Sequence, residues 1–370
     1  MKKIKVYLQY PWKFPDSPYY KYLLQEHPKE IEYLNVEKQK GVITNKAKFL
    51  FSNKMKKIIR DLVKIFYPSM INAHLSPKGD YDLIHCAHCL SKNKDKPWVC
   101  DLEFSTQVWV SLKKPKNIIG VKRILLQDNC KKIITWTEKM KKELVETFPE
   151  IKNKVDVVFP IIPKLNVKRI KHKEINLFFV ARYFYLKGGL HALELMDRLT
   201  KKYSNVNGII VSEVPKEIRE RYSKNERIKI YNLMSQKELF ERVYSTGDIF
   251  VYPGYSDSFG FAIPEVMSLG IPVVSADVST RKEIITNEKN GFIISTKLDQ
   301  RSLIKVSKLL NNVESKKIIK DMEEKCEKLI KDKKLREEFG KEAKKEIVSG
   351  KFSTKNIKEK MKKIYEETLR

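Results

Sequence analysis

The chain has 370 residues, 42% of them hydrophobic, with 75 basic against 46 acidic side chains and a formal net charge of +29. That length argues against one core, which rarely grows past about 250–300 residues, and for two domains. No apolar run approaches the roughly 18 residues a bilayer-spanning helix needs, and the charge points to a polyanionic partner (nucleic acid, an anionic membrane surface or a phosphorylated substrate) unless it reflects only a lysine-rich proteome.

The opening MKKIKVYLQYPW reads as a first β-strand rather than a secretory signal, because its apolar stretch is short and broken by Gln9. In YPWKFPDSPYY, Ser17 before Pro18 reads as a helix N-cap. Residues 46–67 form an amphipathic helix with Met55, Ile58, Ile59, Leu62 and Phe66 on one face and Lys54, Lys56, Lys57, Arg60 and Lys64 around the rest. Such a face usually packs on its own sheet, which is the reading favoured here; its basic side can still meet anionic lipid.

DLIHCAHCL, PWVCDLE, KIITWT and VDVVFPI continue the first half as buried strands. Asp80-Tyr81-Asp82 resembles a metal-binding pair, but it opens a strand and so lies at the wrong end of a sheet. HCAHC at 85–89 has only one pair with zinc-like spacing and is read as buried strand-end side chains. The five cysteines, at 86, 89, 100, 130 and 326, are odd in number and scattered, which suits a reducing compartment.

PIIPKLNVKRIKHKE at 160–174 loses apolar periodicity and is taken as a linker. Beyond it, EINLFFVARYF, NGIIVSEV, RIKIYNL, DIFVYPG, IPVVSAD and GFIIS read as strands, with amphipathic helices such as 188–202 and 235–246 between them. The chain after 301 is mostly helical and highly charged. Strands alternating with helices predict α/β architecture with parallel, doubly wound sheets. The expected division is 1–165, 166–350 and a final helix at 351–370 that returns to the first domain.

In such sheets ligands sit beyond the carboxyl ends of the strands. DIFVYP ends at Pro253, so VYPGYSDSFGFAIPEVMSLGIPVVSAD places Asp257, Glu265 and the backbone N–H groups around Phe259, Gly260 and Phe261 on that rim. Pro264 suits a first helical position and Gly270 a helix end. After another strand, RYFYLKGG sets Arg182 and Lys187 before a glycine pair and a helix start, a pattern that suits a diphosphate.

These motifs resemble the glycosyltransferase family 4 group of GT-B enzymes, whose members show an Arg-x4-Lys-Gly element and a carboxylate pair, usually Glu-x7-Glu, with seven residues between its members around a Phe-Gly turn. The resemblance covers about 174–296. It implies a GT-B fold, two Rossmann-like domains with a cleft between them, and a retaining transfer of sugar from a nucleotide-diphosphate sugar to an acceptor hydroxyl.

By the same resemblance Glu265 binds the donor ribose, Arg182 and Lys187 neutralise the diphosphate, and Ser258, Phe259, Gly260 and Phe261 line the donor site. Asp257 faces the sugar, and Glu103, where relatives often carry a histidine, helps position or deprotonate the acceptor. Base recognition near Asn232 to Met234 is expected to run through the backbone. Two departures stand out. Asp257 is one methylene shorter than the usual glutamate, and YPWKFPDSPYY replaces a glycine-rich loop after the first strand.

The expected acceptor is a lipid-linked or surface glycan, with no required metal or other cofactor, no specific nucleic acid partner, and a cytoplasmic location with peripheral contact at the inner membrane face. The alternatives are a GT-B epimerase or phosphorylase, or a basic nucleic-acid-binding protein. The last would need cations and exposed aromatics interleaved on one face, whereas here the cations are spread along the chain.

Overall fold

A computed structural model describes residues 3–10, 18–36, 46–297 and 310–370. The chain divides into two compact units, Met1–Pro163 together with Thr354–Arg370, and Lys164–Ser353. Ser17 and most of the YPWKFPDSPYY stretch lie outside the described residues.

Unit 1 contains β1 (Ile4–Gln9), β2 (Ile31–Leu34), β3 (Ala73–His74), β4 (Leu83–Ala87), β5 (Leu90–Ser91), β6 (Trp98–Leu102), β7 (Cys130–Thr135) and β8 (Val155–Val157). Six of them form one sheet in the order β2-β1-β4-β6-β7-β8, parallel at every described pairing. The pair β3-β5 stands apart. Strands β4 and β6 are buried at every position, as expected of a parallel sheet covered on both faces. The four residues of β2 are too short for periodicity to reveal them; only pairing with β1 makes them a strand.

The helices of this unit are α1 (Pro18–Gln25), α2 (Lys46–Phe66), α3 (Ile119–Leu125) and α4 (Glu138–Thr147). For α2 the packed reading fails. Met55, Ile58, Ile59, Leu62, Ile65 and Phe66 are 42–71% exposed, so the apolar side of this helix faces solvent rather than the sheet. Helical periodicity shows that a helix has an apolar side; it does not show what covers that side.

Unit 2 runs β9 (Ile175–Val180), α5 (Gly189–Lys202), β10 (Val206–Val211), α6 (Lys216–Tyr222), β11 (Ile228–Tyr231), α7 (Gln236–Leu239, continuing as a π-helical turn to Tyr244), β12 (Ile249–Tyr252), α8 (Ala262–Ser268), β13 (Val273–Ala276), α9 (Arg281–Ile284), β14 (Gly291–Ile294), α10 (Val313–Lys331) and α11 (Lys333–Val348). Its sheet order is β11-β10-β9-β12-β13-β14, all parallel. Counted from β9 this is 3-2-1-4-5-6, a doubly wound order in which the direction of winding reverses between β9 and β12.

Helix α8 begins at Ala262, so Pro264 occupies its first turn rather than its first position. The first N–H groups of a helix have no intrahelical acceptor, so proline is tolerated there. Gly270 follows the helix with φ +76°, a left-handed conformation that glycine adopts without penalty.

The last helix, α12 (Thr354–Thr368), belongs to unit 1. Its Tyr365 hydroxyl lies 2.7 Å from His85 Nδ1 and 2.9 Å from the Tyr33 hydroxyl. Two residues on, Glu367 pairs with Lys132 of β7 at 3.0 Å.

Candidate active site

The reversal of winding between β9 and β12 opens the sheet of unit 2 to a ligand, because the chain leaves the two strands toward opposite faces. The loop after β9 carries Arg182 and Lys187, and the loop after β12 carries Asp257. The two loops touch through backbone. Gly188 holds φ +76°, and a Cβ there would stand 2.8 Å from Pro253 Cβ and 3.0 Å from Gly254 N. The Tyr255 N–H donates to the Leu186 carbonyl at 2.9 Å. Only a glycine allows this approach, which locks one loop on the other.

That contact sets Lys187 on Asp257. The Lys187 ammonium donates to the Ser256 carbonyl at 2.7 Å and lies 3.0 Å from Asp257 Oδ1. The other carboxylate oxygen, Oδ2, accepts from the Tyr252 hydroxyl at 2.9 Å and from Arg281 Nη2 at 3.2 Å. Oδ1 also accepts from the Ser258 N–H at 3.1 Å. The Asp257 side chain is 10% exposed. Burial pushes its carboxyl up, but the charges of Arg281 and then Lys187, with hydrogen bonds from Lys187 and Tyr252, outweigh it and hold it below the usual carboxylate range. One carboxylate between two cations leaves the cluster with a surplus of one positive charge.

Glu265 lies in the first turn of α8, 6% exposed. The Tyr244 hydroxyl donates to its Oε2 at 3.1 Å. Phe259 is fully buried, and Gly260 turns the chain at φ +80° into α8. Ser258 and Phe261 are partly exposed beside it. Arg182, also partly exposed, is the second residue after β9. Asn232 follows β11 and accepts from Arg219 Nη2 through its side-chain oxygen at 2.8 Å.

Of the residues expected at the site, Lys187 and Asp257 are in direct contact, and Ser258, Phe259, Gly260, Phe261 and Glu265 continue the same segment. Glu103 belongs to unit 1. It follows β6, half-buried, and its N–H donates to Gln107 Oε1 at 2.7 Å. The buried carboxylate of that strand is Asp101, which accepts from the Tyr20 hydroxyl at 2.8 Å and lies 2.9 Å from His85 Nε2 and 3.3 Å from His88 Nδ1. Asp80 and Asp82 both engage Lys5 at the amino-terminal ends of the strands. Among the described residues no group of three or more His, Cys, Asp or Glu is placed to hold a metal.

Sequence reasoning missed Arg281 and Tyr252. Arg281 is one of 75 cations and no motif marks it; only the fold brings it from α9 to Asp257. It also missed His191 of α5, 1% exposed, whose ring lies 2.9 Å from the Tyr255 hydroxyl. Burial pushes this imidazole down to about 4, against a smaller upward pull from Glu194.

Residues 163–321 match the family described as glycosyl transferases group 1. The similarity to that family lies within this stretch, which begins at the start of unit 2. The chain is 32% identical over 120 residues to one component of the human (Homo sapiens) phosphatidylinositol N-acetylglucosaminyltransferase, a match covering 31% of this chain and 25% of that protein. It is 26% identical over 209 residues to the capsular polysaccharide biosynthesis glycosyltransferase CapM of Staphylococcus aureus, covering 54% of this chain and 49% of that one. The chain thus spans between a quarter and a half of these two relatives.

In fold it is similar to the crystal structure of Anabaena Alr3699/HepE in complex with UDP and glucose, with a TM-score of 0.59 at 14% identity, covering 97% of this chain and 98% of that one. The matched stretch runs from the start of unit 2 past β14 to residue 321, so it contains the whole Lys187–Asp257–Arg281 cluster. The two parallel α/β sheets are those of the GT-B fold.

Proposed function

We propose that this chain is a retaining glycosyltransferase that moves a sugar from a nucleotide-diphosphate sugar to an acceptor hydroxyl. The observation that carries the reading is the meeting of Lys187 and Asp257 where β9 and β12 part, with Arg182 on the same rim. Breaking a glycosyl–phosphate bond puts growing negative charge on the departing diphosphate, so fixed cations facing that charge are the main lever. Lys187 and Arg182 supply it, and no divalent metal is needed in this scheme. Glu265 accepts from the donor ribose. The N–H groups around Phe259, Gly260 and Phe261 hold sugar and phosphate oxygens, and Ser258 lines the donor site beside them.

Asp257 meets the sugar as a positioning carboxylate. Both its oxygens already accept hydrogen bonds, which suits that role better than nucleophilic attack. Retention then follows from an acceptor hydroxyl that attacks on the side the diphosphate leaves. Glu103 is the group assigned to position or deprotonate that hydroxyl.

The test is direct. UDP-, GDP- and ADP-sugars are incubated with the protein in the presence of a chelator, nucleoside diphosphate release is followed, and thermal unfolding is measured with each diphosphate. A diphosphate at 100 times its Kd stabilises the fold by about 2.7 kcal/mol. Release from one donor class, with stabilisation by its diphosphate, is expected. Neither effect with any of the three overturns the reading.

The acceptor is a lipid-linked or surface glycan, and the protein works in the cytoplasm against the inner face of the membrane. What supports this is α2, whose exposed apolar side chains share the helix with Lys54, Lys56, Lys57, Arg60 and Lys64. A helix of that kind lies in the headgroup region, with its apolar side down and its cations on anionic lipid. One relative is named for phosphatidylinositol and another for capsular polysaccharide, both consistent with an acceptor presented at a surface. Among the described residues no helix is long and apolar enough to cross a membrane, and all five cysteines are free and buried.

A further inference from the structure

Arg281 is the first residue of α9, and none of its side chain is exposed. Its guanidinium carbon lies 4.7 Å from the centre of the Tyr252 ring, and Nη2 reaches Asp257 Oδ2 at 3.2 Å. Nε and Nη1 are buried with no hydrogen-bond partner among the described residues. A buried cation with two unsatisfied nitrogens is costly, so a structure that keeps one needs a reason for it.

The reason lies in the loop wrapped around the guanidinium. A Cβ at Gly260 would stand 2.9 Å from Nη1 and 3.1 Å from Asp257 Oδ2, and one at Gly254 would stand 3.3 Å from Nη2. Both glycines of the loop are therefore places where a side chain would press on the guanidinium. It fills the space between the Tyr252 ring and the loop. Asp257 closes that space, with one oxygen on Arg281 and Tyr252 and the other on Lys187 and the Ser258 N–H. No oxygen of this carboxylate has slack. One more methylene would advance it by about 1.5 Å, several times the half-ångström range over which a hydrogen bond stays useful.

We propose that Arg281 is the positioning residue for Asp257, and that its guanidinium is why the first carboxylate of the pair is an aspartate and not a glutamate. Arg281 and Asp257 form one exchangeable unit. The longer acid fits only when the guanidinium is absent, and the shorter acid is held in place only when it is present. This rests on Asp257 facing the donor sugar, as in the proposed function.

The test is a cycle of four proteins: wild type, Asp257→Glu, Arg281→Met and Asp257→Glu/Arg281→Met. Each is measured for turnover of the nucleotide sugar that wild type uses, for kcat and KM separately, and for thermal unfolding without ligand. Each single change is expected to lower kcat at least tenfold with KM within about threefold. The double variant is expected to exceed the product of the two single effects by at least tenfold, because residues in contact do not act additively.

The pH profile separates positioning from general damage. Asp257 is faced by Lys187 from the loop after β9, Arg281 from α9 and Tyr252 from β12. Removing Arg281 takes away the largest influence holding its carboxyl down, so the acidic limb of kcat moves to higher pH in Arg281→Met. Arg281→Lys keeps the charge and restores part of both kcat and the profile. Multiplicative single effects in both turnover and unfolding, or an Arg281→Met enzyme with wild-type kcat and profile, overturn the proposal. If Arg281→Met does not fold, Asp257→Glu decides alone: wild-type kcat with Arg281 in place overturns it. If wild type turns over no nucleotide sugar, the proposed function falls, and the unfolding cycle still tests the Arg281–Asp257 unit.

Discussion

Lys187 Nζ stands 3.0 Å from Asp257 Oδ1, although the two residues follow different strands, β9 and β12. A cation from one loop and an anion from the other thus hold the rim of the sheet together where the winding reverses. Lys187 is already paired, so in the proposed function a diphosphate shares this ammonium with Asp257 and the Ser256 carbonyl. The surplus positive charge of the cluster and the nearby Arg182 favour that sharing.

Replacing Lys187 or Arg182 by alanine is expected to lower kcat by about 10²–10³, the scale for losing one fixed donor to transition-state charge. Steady-state kinetics with saturating donor checks it. A change in KM alone would mean that these side chains only bind the ground state.

Glu265→Gln removes the charged acceptor proposed for the donor ribose. A hydrogen bond to a charged group contributes about 1.5–3 kcal/mol, so kcat/KM is expected to fall about ten- to 150-fold. Tyr244→Phe, which removes the hydroxyl that donates to Glu265 Oε2, is expected to cost less, since the ribose contact itself remains. Unchanged kinetics in a folded Glu265→Gln protein would remove Glu265 from the donor site.

Neutralising Lys56, Lys57, Arg60 and Lys64 together is expected to leave thermal unfolding within a few degrees of wild type and to reduce co-sedimentation with phosphatidylserine-containing vesicles. Each charge near such a surface contributes about 1 kcal/mol. Wild-type protein that stays in the supernatant at low salt would end the membrane reading.

Gly188→Ala puts a side chain at φ +76° and 2.8 Å from Pro253 Cβ. Strain and overlap together are expected to cost about 1–3 kcal/mol, read as a lower midpoint in a denaturant titration. Activity is expected to fall further than stability, because the same contact sets Lys187 on Asp257.

Stability should also depend on pH through His191. Its folded value is about 4, below the ordinary 6.5, so between these values the unfolded chain binds more protons than the folded one. Stability is therefore complete above about 6.5 and lost as pH falls toward 4. Denaturant unfolding at pH 7, 6 and 5 measures the slope, and His191→Gln is expected to flatten it.

The sequence by itself determined the elements of unit 2. Its six strands are short and mostly apolar, β11 with Lys229 being the least so, and runs of that kind, separated by amphipathic helices, have few ways to be buried other than a parallel doubly wound sheet. The order of elements also placed Arg182, Lys187 and Asp257 on one rim, because each follows the carboxyl end of a strand. It did not determine what the apolar side of α2 packs against, since periodicity is a property of one helix and burial is a property of two surfaces. It did not show β2, whose four residues become a strand only through β1. Nor did it show Arg281, one cation among many, whose role depends on a distance between α9 and the loop after β12. Short-range patterns of polarity are written along the chain, whereas contacts between distant residues are fixed only when the sheet is assembled. The partner of Asp257 was therefore the tertiary structure's to decide.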